Sequence, residues 1–132
     1  MQIDFTLFVR FVKAALPTMV SGGSIIGLAS QGGRDAGSYA ASKGALITTT
    51  RGLAKELGPD IRIISVCPGM IDTDYSNLSN SPGVRNRGAS VTPLKRKRSS
   101  VDVANLVAFL ASDKAAFITG ANLDVNGGLQ YS

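Results

Sequence analysis

Tyr39 and Lys43 stand four residues apart in the run from Ser38 to Leu46, at the start of a helix-like stretch. At that spacing both side chains leave one face of a helix, about one turn apart. A phenol needs such a neighbour to act as an acid or base near neutral pH. Free Tyr has a pKa of about 10. Bringing it to about 7 takes roughly 4 kcal/mol of preferential stabilisation of the phenolate, and a fixed ammonium on the next turn supplies much of that. Alone, the pair is equally an ordinary half-exposed helix pair, so its surroundings must decide.

Those surroundings have a regular order. Upstream, Gly22 and Gly23 open a short apolar run that ends in the hydroxyl of Ser30 and reads as a buried strand, Ser24–Ala29. Downstream, Leu46, Leu53 and Leu57 keep helical spacing until Gly58 and Pro59 stop the helix, placing it near residues 39–57. A second strand follows at Ile61–Cys67, and Pro68 to Thr73 lead away from it. Strand, helix, strand at this spacing is a βαβ unit, so the two strands are expected to be parallel, joined by a right-handed crossover.

The remaining elements fit the same pattern. Phe5, Phe8, Val9, Val12 and Leu16 mark an amphipathic helix near residues 3–16, ending before Pro17. Asp4, Arg10 and Lys13 interrupt it too often for a signal peptide or a membrane span; a helix packed on a sheet is the first reading and a targeting helix the other. Ser99 or Ser100 caps a helix near 101–111, whose Val103, Leu106, Val107 and Leu110 share a face. Ala121–Val125 reads as the last strand, with Asn126 to Gly128 as its turn. The expected fold class is therefore α/β, with three parallel strands between helices in a single domain, residues 1–132.

Composition narrows the chemistry. The chain has 132 residues, no His and one Cys. Ser-His-Asp and Cys-His nucleophilic schemes are excluded, along with the commonest metal ligand, and no metal site is expected. Cys67, at the end of an apolar strand, reads as a buried small hydrophobe, compatible with a reducing, cytoplasmic setting. Much of the net charge of +5 lies in the basic run Lys95 to Arg98. A solvated loop is its plain reading; contact with an anionic substrate or a cofactor phosphate, and nucleic-acid binding or import, are the others. No aromatic interleaving supports nucleic acid. The stretch from Asp72 to Ser100 is irregular and rich in Ser, Asn, Gly and Pro, as functional or mobile loops are.

The order Ser30, Tyr39, Lys43, then Val66 to Gly69 with Thr73, then Ile118 to Gly120 leading to Asp124 through Gly128, resembles the short-chain dehydrogenase/reductase family. The likeness is to its 3-oxoacyl-carrier-protein reductase and glucose-dehydrogenase-like branch, and it covers essentially the whole chain. It implies a partial Rossmann-like, doubly wound parallel sheet. The family's glycine-rich turn after the first strand, which meets the pyrophosphate, has no counterpart here. Nor does the Asn-Asn-Ala-Gly segment that usually ends the fourth strand. Gly22 and Gly23 precede a strand, while Gly32 and Gly33 lie on the catalytic loop by the family's order. The resemblance thus implies the second half of such an enzyme, beginning in its fourth helix, and a piece of a longer reading frame rather than a purpose-built half domain.

The resemblance also assigns roles. Ser30, Tyr39 and Lys43 would be catalytic: Tyr39 exchanging a proton with the carbonyl or alcohol oxygen, Ser30 hydrogen-bonding that oxygen, and Lys43 lowering the Tyr pKa. Tyr39, Lys43, Pro68, Gly69, Ile71 and Thr73 would bind the nicotinamide end of NAD or NADP. The substrate would be a small carbonyl or alcohol compound, with specificity set by the 72–100 loop. A homo-oligomer through the fourth and fifth family helices is implied, with no nucleic acid or membrane partner. The residue selecting NAD or NADP would lie in the other half.

Two departures stand out. Ser30 and Tyr39 are nine apart, about four fewer than is usual in the family, enough to move Ser30 by several ångströms. Asp4 falls where the family has the fourth-helix Asn of its proton relay, and a carboxylate there would pair with Lys43. Two functions remain: an NAD(P)-dependent oxidoreductase interconverting ketone or aldehyde and alcohol, or a non-catalytic family member acting as a dimerisation module.

Overall fold

The computed structural model describes residues 5–35, 37–73, 90–96 and 99–130. Helix α1 spans Leu7–Ala15 and strand β1 Ser24–Leu28. Helix α2 spans Ser38–Leu57 and strand β2 Arg62–Pro68, with helix α3 at Ser100–Ala111 and strand β3 at Asn122–Val125. Short 3-10 turns occupy Leu16–Thr18, Gln31–Arg34 and Asp113–Ala115. All three strands and all three helices are where the sequence pattern puts them, within a few residues at each end. Asp4, most of the 72–100 loop, and Lys97 and Arg98 of the basic run lie outside the described residues.

The sheet is parallel throughout, in the order β1-β2-β3. Ile26 stands beside Ile64 and Leu28 beside Val66, while Cys67 stands beside Asp124. Parallel pairing follows from the crossovers, since α2 returns the chain to the starting edge of the sheet between β1 and β2. It also sends the chain out of β1 and β2 at the same end, so Ser30 and the Pro68–Thr73 turn emerge side by side.

Helices cover both faces. Val12, Ile25, Ile61 and Ile63 form one core with Phe8, Leu16, Leu53 and Leu57 of α1 and α2 around it. On the opposite face Ile64, Val66, Leu110 and Ala115 pack with Val103, Leu106 and Val107 of α3. Coverage on both sides explains why Ile63 through Cys67 of β2 are buried one after another in place of alternating. Burying an Ile, Val or Leu side chain of this core contributes roughly 1.5–3 kcal/mol. At Gly27 an added Cβ would sit 3.1 Å from both Leu46 and Phe8, so a side chain there would have to push these two aside by a few tenths of an ångström.

The ends of α3 are fixed by charge. Ser99 and Asp102 form a reciprocal capping box at its start. At its finish the Arg62 guanidinium donates to the carbonyls of Leu110 at 3.0 Å and Ser112 at 3.4 Å, placing a cation at the helix C-terminus. Among the described residues no helix is long and apolar enough to cross a membrane, and no cluster of three or more potential metal ligands occurs.

Candidate active site

Three elements converge at the C-terminal end of β1 and β2. The chain leaves β1 through Ala29, whose N–H still bonds the Val66 carbonyl at 2.8 Å, so Ser30 is held in line with the sheet. A tight turn, Gln31–Arg34, follows at once. The Gly32 N–H donates to Ser30 Oγ at 3.1 Å, and the Gly33 N–H to the Ser30 carbonyl at 3.0 Å. With one lone pair occupied by Gly32, the Ser30 hydroxyl directs its own proton elsewhere.

Helix α2 begins one residue before Tyr39, after Gly37 in a positive-φ conformation (φ 99°). Tyr39 is 55% exposed, which leaves its phenol accessible to a reactant. The Lys43 ammonium lies 5.9 Å from the centroid of its ring, the one-turn neighbour the spacing requires. Ser30 and Tyr39 are brought together across the loop: a Cβ placed on Gly32 would lie 3.4 Å from Tyr39 Cε1 and 3.5 Å from Ser30 Oγ. Hydroxyl, phenol and ammonium thus share one corner of the fold.

Beside this corner, Pro68 ends β2 and the Gly69 N–H bonds the Val125 carbonyl at 3.0 Å, tying the turn to β3. Ile71 is half-buried and Thr73 exposed. A cavity of about 340 Å³ opens between Thr92, Leu94, Arg96 and the Asn126–Gly128 turn, with Asp124 and Asp102 in its wall.

The structure adds residues that the sequence pattern does not reveal. Arg34 Nη1 donates to Asp124 Oδ1 at 2.7 Å, and Nη2 lies 4.0 Å from Cys67 Sγ. This hydrogen bond to Asp124 holds the Arg34 guanidinium above its usual range. Burial pushes the Cys67 thiol up, partly offset by Arg34. Cys67 is fully buried, the small hydrophobe expected. Gly33 and Gly44 form a second unforeseen contact, close enough that neither can carry a side chain without displacement.

A dinucleotide can be tested against these residues. Lys43 beside the Tyr39 ring and Thr73 in the turn after β2 are a cation and a hydroxyl, the kinds of group that would hold a nicotinamide riboside. Gly32 and Gly33 follow a strand and precede a helix, as a phosphate-binding turn does. Yet the space a Cβ would fill at Gly33 is taken by the backbone of Lys43 and Gly44 at 2.9 Å, so this turn is packed on its own helix and is no phosphate cradle. Among the described residues no turn forms a phosphate cradle.

Comparison with known proteins identifies the family. The sequence model of the family described as enoyl-(acyl carrier protein) reductase matches residues 1–130. The 3-oxoacyl-(acyl-carrier-protein) reductase FabG of Pseudomonas aeruginosa is 38% identical over 121 residues, covering 91% of this chain and 48% of its own. The crystal structure of a short-chain dehydrogenase/reductase, glucose/ribitol dehydrogenase, from Brucella melitensis superposes with a TM-score of 0.92 at 34% identity, over 98% of this chain and 54% of its own. A blue fluorescent protein from a metagenomic library, solved in complex with NADPH, gives 0.88 at 36% identity over 99% and 55%. The chain spans about half the length of the curated relatives it matches.

Proposed function

The chain belongs to the short-chain dehydrogenase/reductase family, and from that membership we propose that it carries the catalytic half of an NAD(P)-dependent oxidoreductase interconverting a small ketone or aldehyde and the corresponding alcohol. The observation carrying this reading is the convergence of Ser30 Oγ and the Tyr39 ring on one point, with the Lys43 ammonium one turn along.

In the direction of reduction the carbonyl carbon gains a hydride and its oxygen gains a proton. NADH or NADPH, when bound, supplies the hydride. Tyr39 gives its phenolic proton to the carbonyl oxygen, and takes a proton from the alcohol in reverse. Ser30 keeps its proton and donates a hydrogen bond through its hydroxyl to that same oxygen as negative charge develops, one of its own lone pairs accepting from the Gly32 N–H. Lys43 sets positive charge beside the phenol and binds the ribose of the nicotinamide end. Pro68, Gly69, Ile71 and Thr73 form the turn against which the nicotinamide lies.

The same reading includes assembly and setting. Leu7 and Phe11 stand 53% and 66% exposed on α1, and α1 with α2 is proposed to pack against a second copy of the chain. Cys67 is a free thiol, in keeping with a reducing, cytoplasmic compartment.

Titration of the 132-residue chain with NADH or NADPH, followed by nuclear magnetic resonance, tests the placement of the nicotinamide end. Shifts should be confined to Tyr39, Lys43 and the 68–73 turn, with a dissociation constant no better than about 1 mM, because nothing described here grips the pyrophosphate. Micromolar affinity, or shifts centred elsewhere, would contradict it.

A further inference from the structure

The turn that joins Ser30 to Tyr39 is weakly determined by its own backbone. It is a four-residue 3-10 segment containing two adjacent glycines, a geometry with poor hydrogen bonds and much conformational freedom to lose. Its internal bonds are those from Gly32 and Gly33 to Ser30 and from the Asp35 N–H to the Gly32 carbonyl at 3.2 Å. Ser30 and Tyr39 are only nine residues apart, and a Cβ on Gly32 would lie within 3.5 Å of both Ser30 Oγ and Tyr39 Cε1. Gly33 rests on the backbone of Lys43 and Gly44 outside the turn, which fixes the turn on that side, and its far end is held by a side chain.

Arg34 is the last residue of the turn, and its guanidinium leaves the loop altogether. It passes over Cys67 at the end of β2 and reaches Asp124 on β3, 90 residues away in sequence. The two side chains are 22% and 15% exposed, so the pair is partly shielded from solvent screening. One side chain therefore fastens the loop after β1 to both other strands at the sheet end where the candidate site lies. Asp124 meanwhile forms part of the cavity wall, so the anchor and the cavity share a residue.

We propose that Arg34 is a positioning residue for the reaction assigned above: its ion pair with Asp124 seats the Gln31–Arg34 turn so that the Ser30 hydroxyl faces Tyr39. The proposal rests on the oxidoreductase reading for its purpose, while its geometry stands independently. Asp124 acts through Arg34, and neither touches the reacting atoms. The Cys67 thiol contributes a buried contact and no charge at neutral pH.

The test uses the whole 132-residue chain and involves no turnover. In the native chain a nuclear Overhauser cross-peak is expected between the Tyr39 ring and Gly32 Hα. Arg34→Met should abolish it and speed amide exchange at Gly33 and Asp35 about tenfold, while the β2 amides keep their shifts and protection. Asp124→Asn, which leaves the shape and removes the charge, should weaken the same cross-peak. Exchanging the charges, Arg34→Asp with Asp124→Arg, should restore it. A cross-peak that survives both single substitutions would overturn the proposal, as would a charge exchange that restores nothing. Global unfolding of both single variants would overturn it too, by making the pair a general support of the fold. The cross-peaks do not depend on the oxidoreductase reading, which the NAD(P)H titration tests separately, so the two can fail independently.

Discussion

Gly33 and Gly44 meet backbone to backbone: a Cβ on Gly44 would stand 2.7 Å from the Gly33 carbonyl oxygen. This contact seats the turn after β1 directly on α2, beside Lys43. A glycine inside a helix normally costs about 1 kcal/mol relative to alanine; here the close approach needs it.

Gly44 and Gly52, both in α2, therefore make a matched pair. Gly52 has nothing within 4 Å of its would-be Cβ, so Gly52→Ala should stabilise the chain by up to about 1 kcal/mol. Gly44→Ala forces the loop away, and overpacking of that kind costs about 1–3 kcal/mol, outweighing the helical gain. Thermal unfolding of the two variants should move in opposite directions, and equal stabilisation would show that the loop does not rest on Gly44.

Cys67 should be inert in the folded chain. It is fully buried, and burial pushes its thiol up, so the protonated form prevails at neutral pH. Alkylation by iodoacetamide near pH 8 is expected to be at least about a hundredfold slower than in denaturant, since it waits on opening of the sheet. The sign for stability follows: a thiol ionising later in the folded state supports folding below the unfolded value of about 8.5 and loses that support as pH rises through it. Rapid labelling of the native protein would mean that β2 is not the sheet centre.

Arg96 forks onto Asp102 at 2.8 and 2.7 Å, and the Ser99 N–H adds a third bond at 2.9 Å. The Arg96 hydrogen bonds, then that backbone bond, hold Asp102 well below the usual carboxylate range. A depressed carboxylate stabilises the folded state above its unfolded value of about 3.9 and loses that contribution as pH falls through the folded one. The stability difference between the native chain and Asp102→Asn should be constant above about pH 5 and shrink below about pH 4. A difference that grows on acidification would contradict the pairing.

Short apolar runs and apolar residues at helical spacing were enough to place the elements, because β2 is buried on both faces and each helix packs one stripe on the sheet. The pairing of Tyr39 with Lys43 is equally local, four residues on one helix. The cap of α3 was legible only as Ser99 or Ser100, and the bond from the Ser99 N–H to Asp102 selects Ser99. Arg34 was not legible, because its partner Asp124 is 90 residues away and neither residue belongs to a periodic pattern. Gly33 and Gly44 looked like ordinary loop and helix glycines, since a close backbone approach leaves no trace in one sequence. The convergence of Ser30 and Tyr39 across a short loop needed the turn geometry itself.

Proton exchange at Tyr39 is the centre of this account. The direct measurement joins the chain to the dinucleotide-binding first half of a relative and follows NADPH-dependent reduction of a small ketone. Reduction is expected in the parent fusion, and Tyr39→Phe, which removes one oxygen atom, should lower turnover at least about a hundredfold. Full turnover by Tyr39→Phe would contradict it.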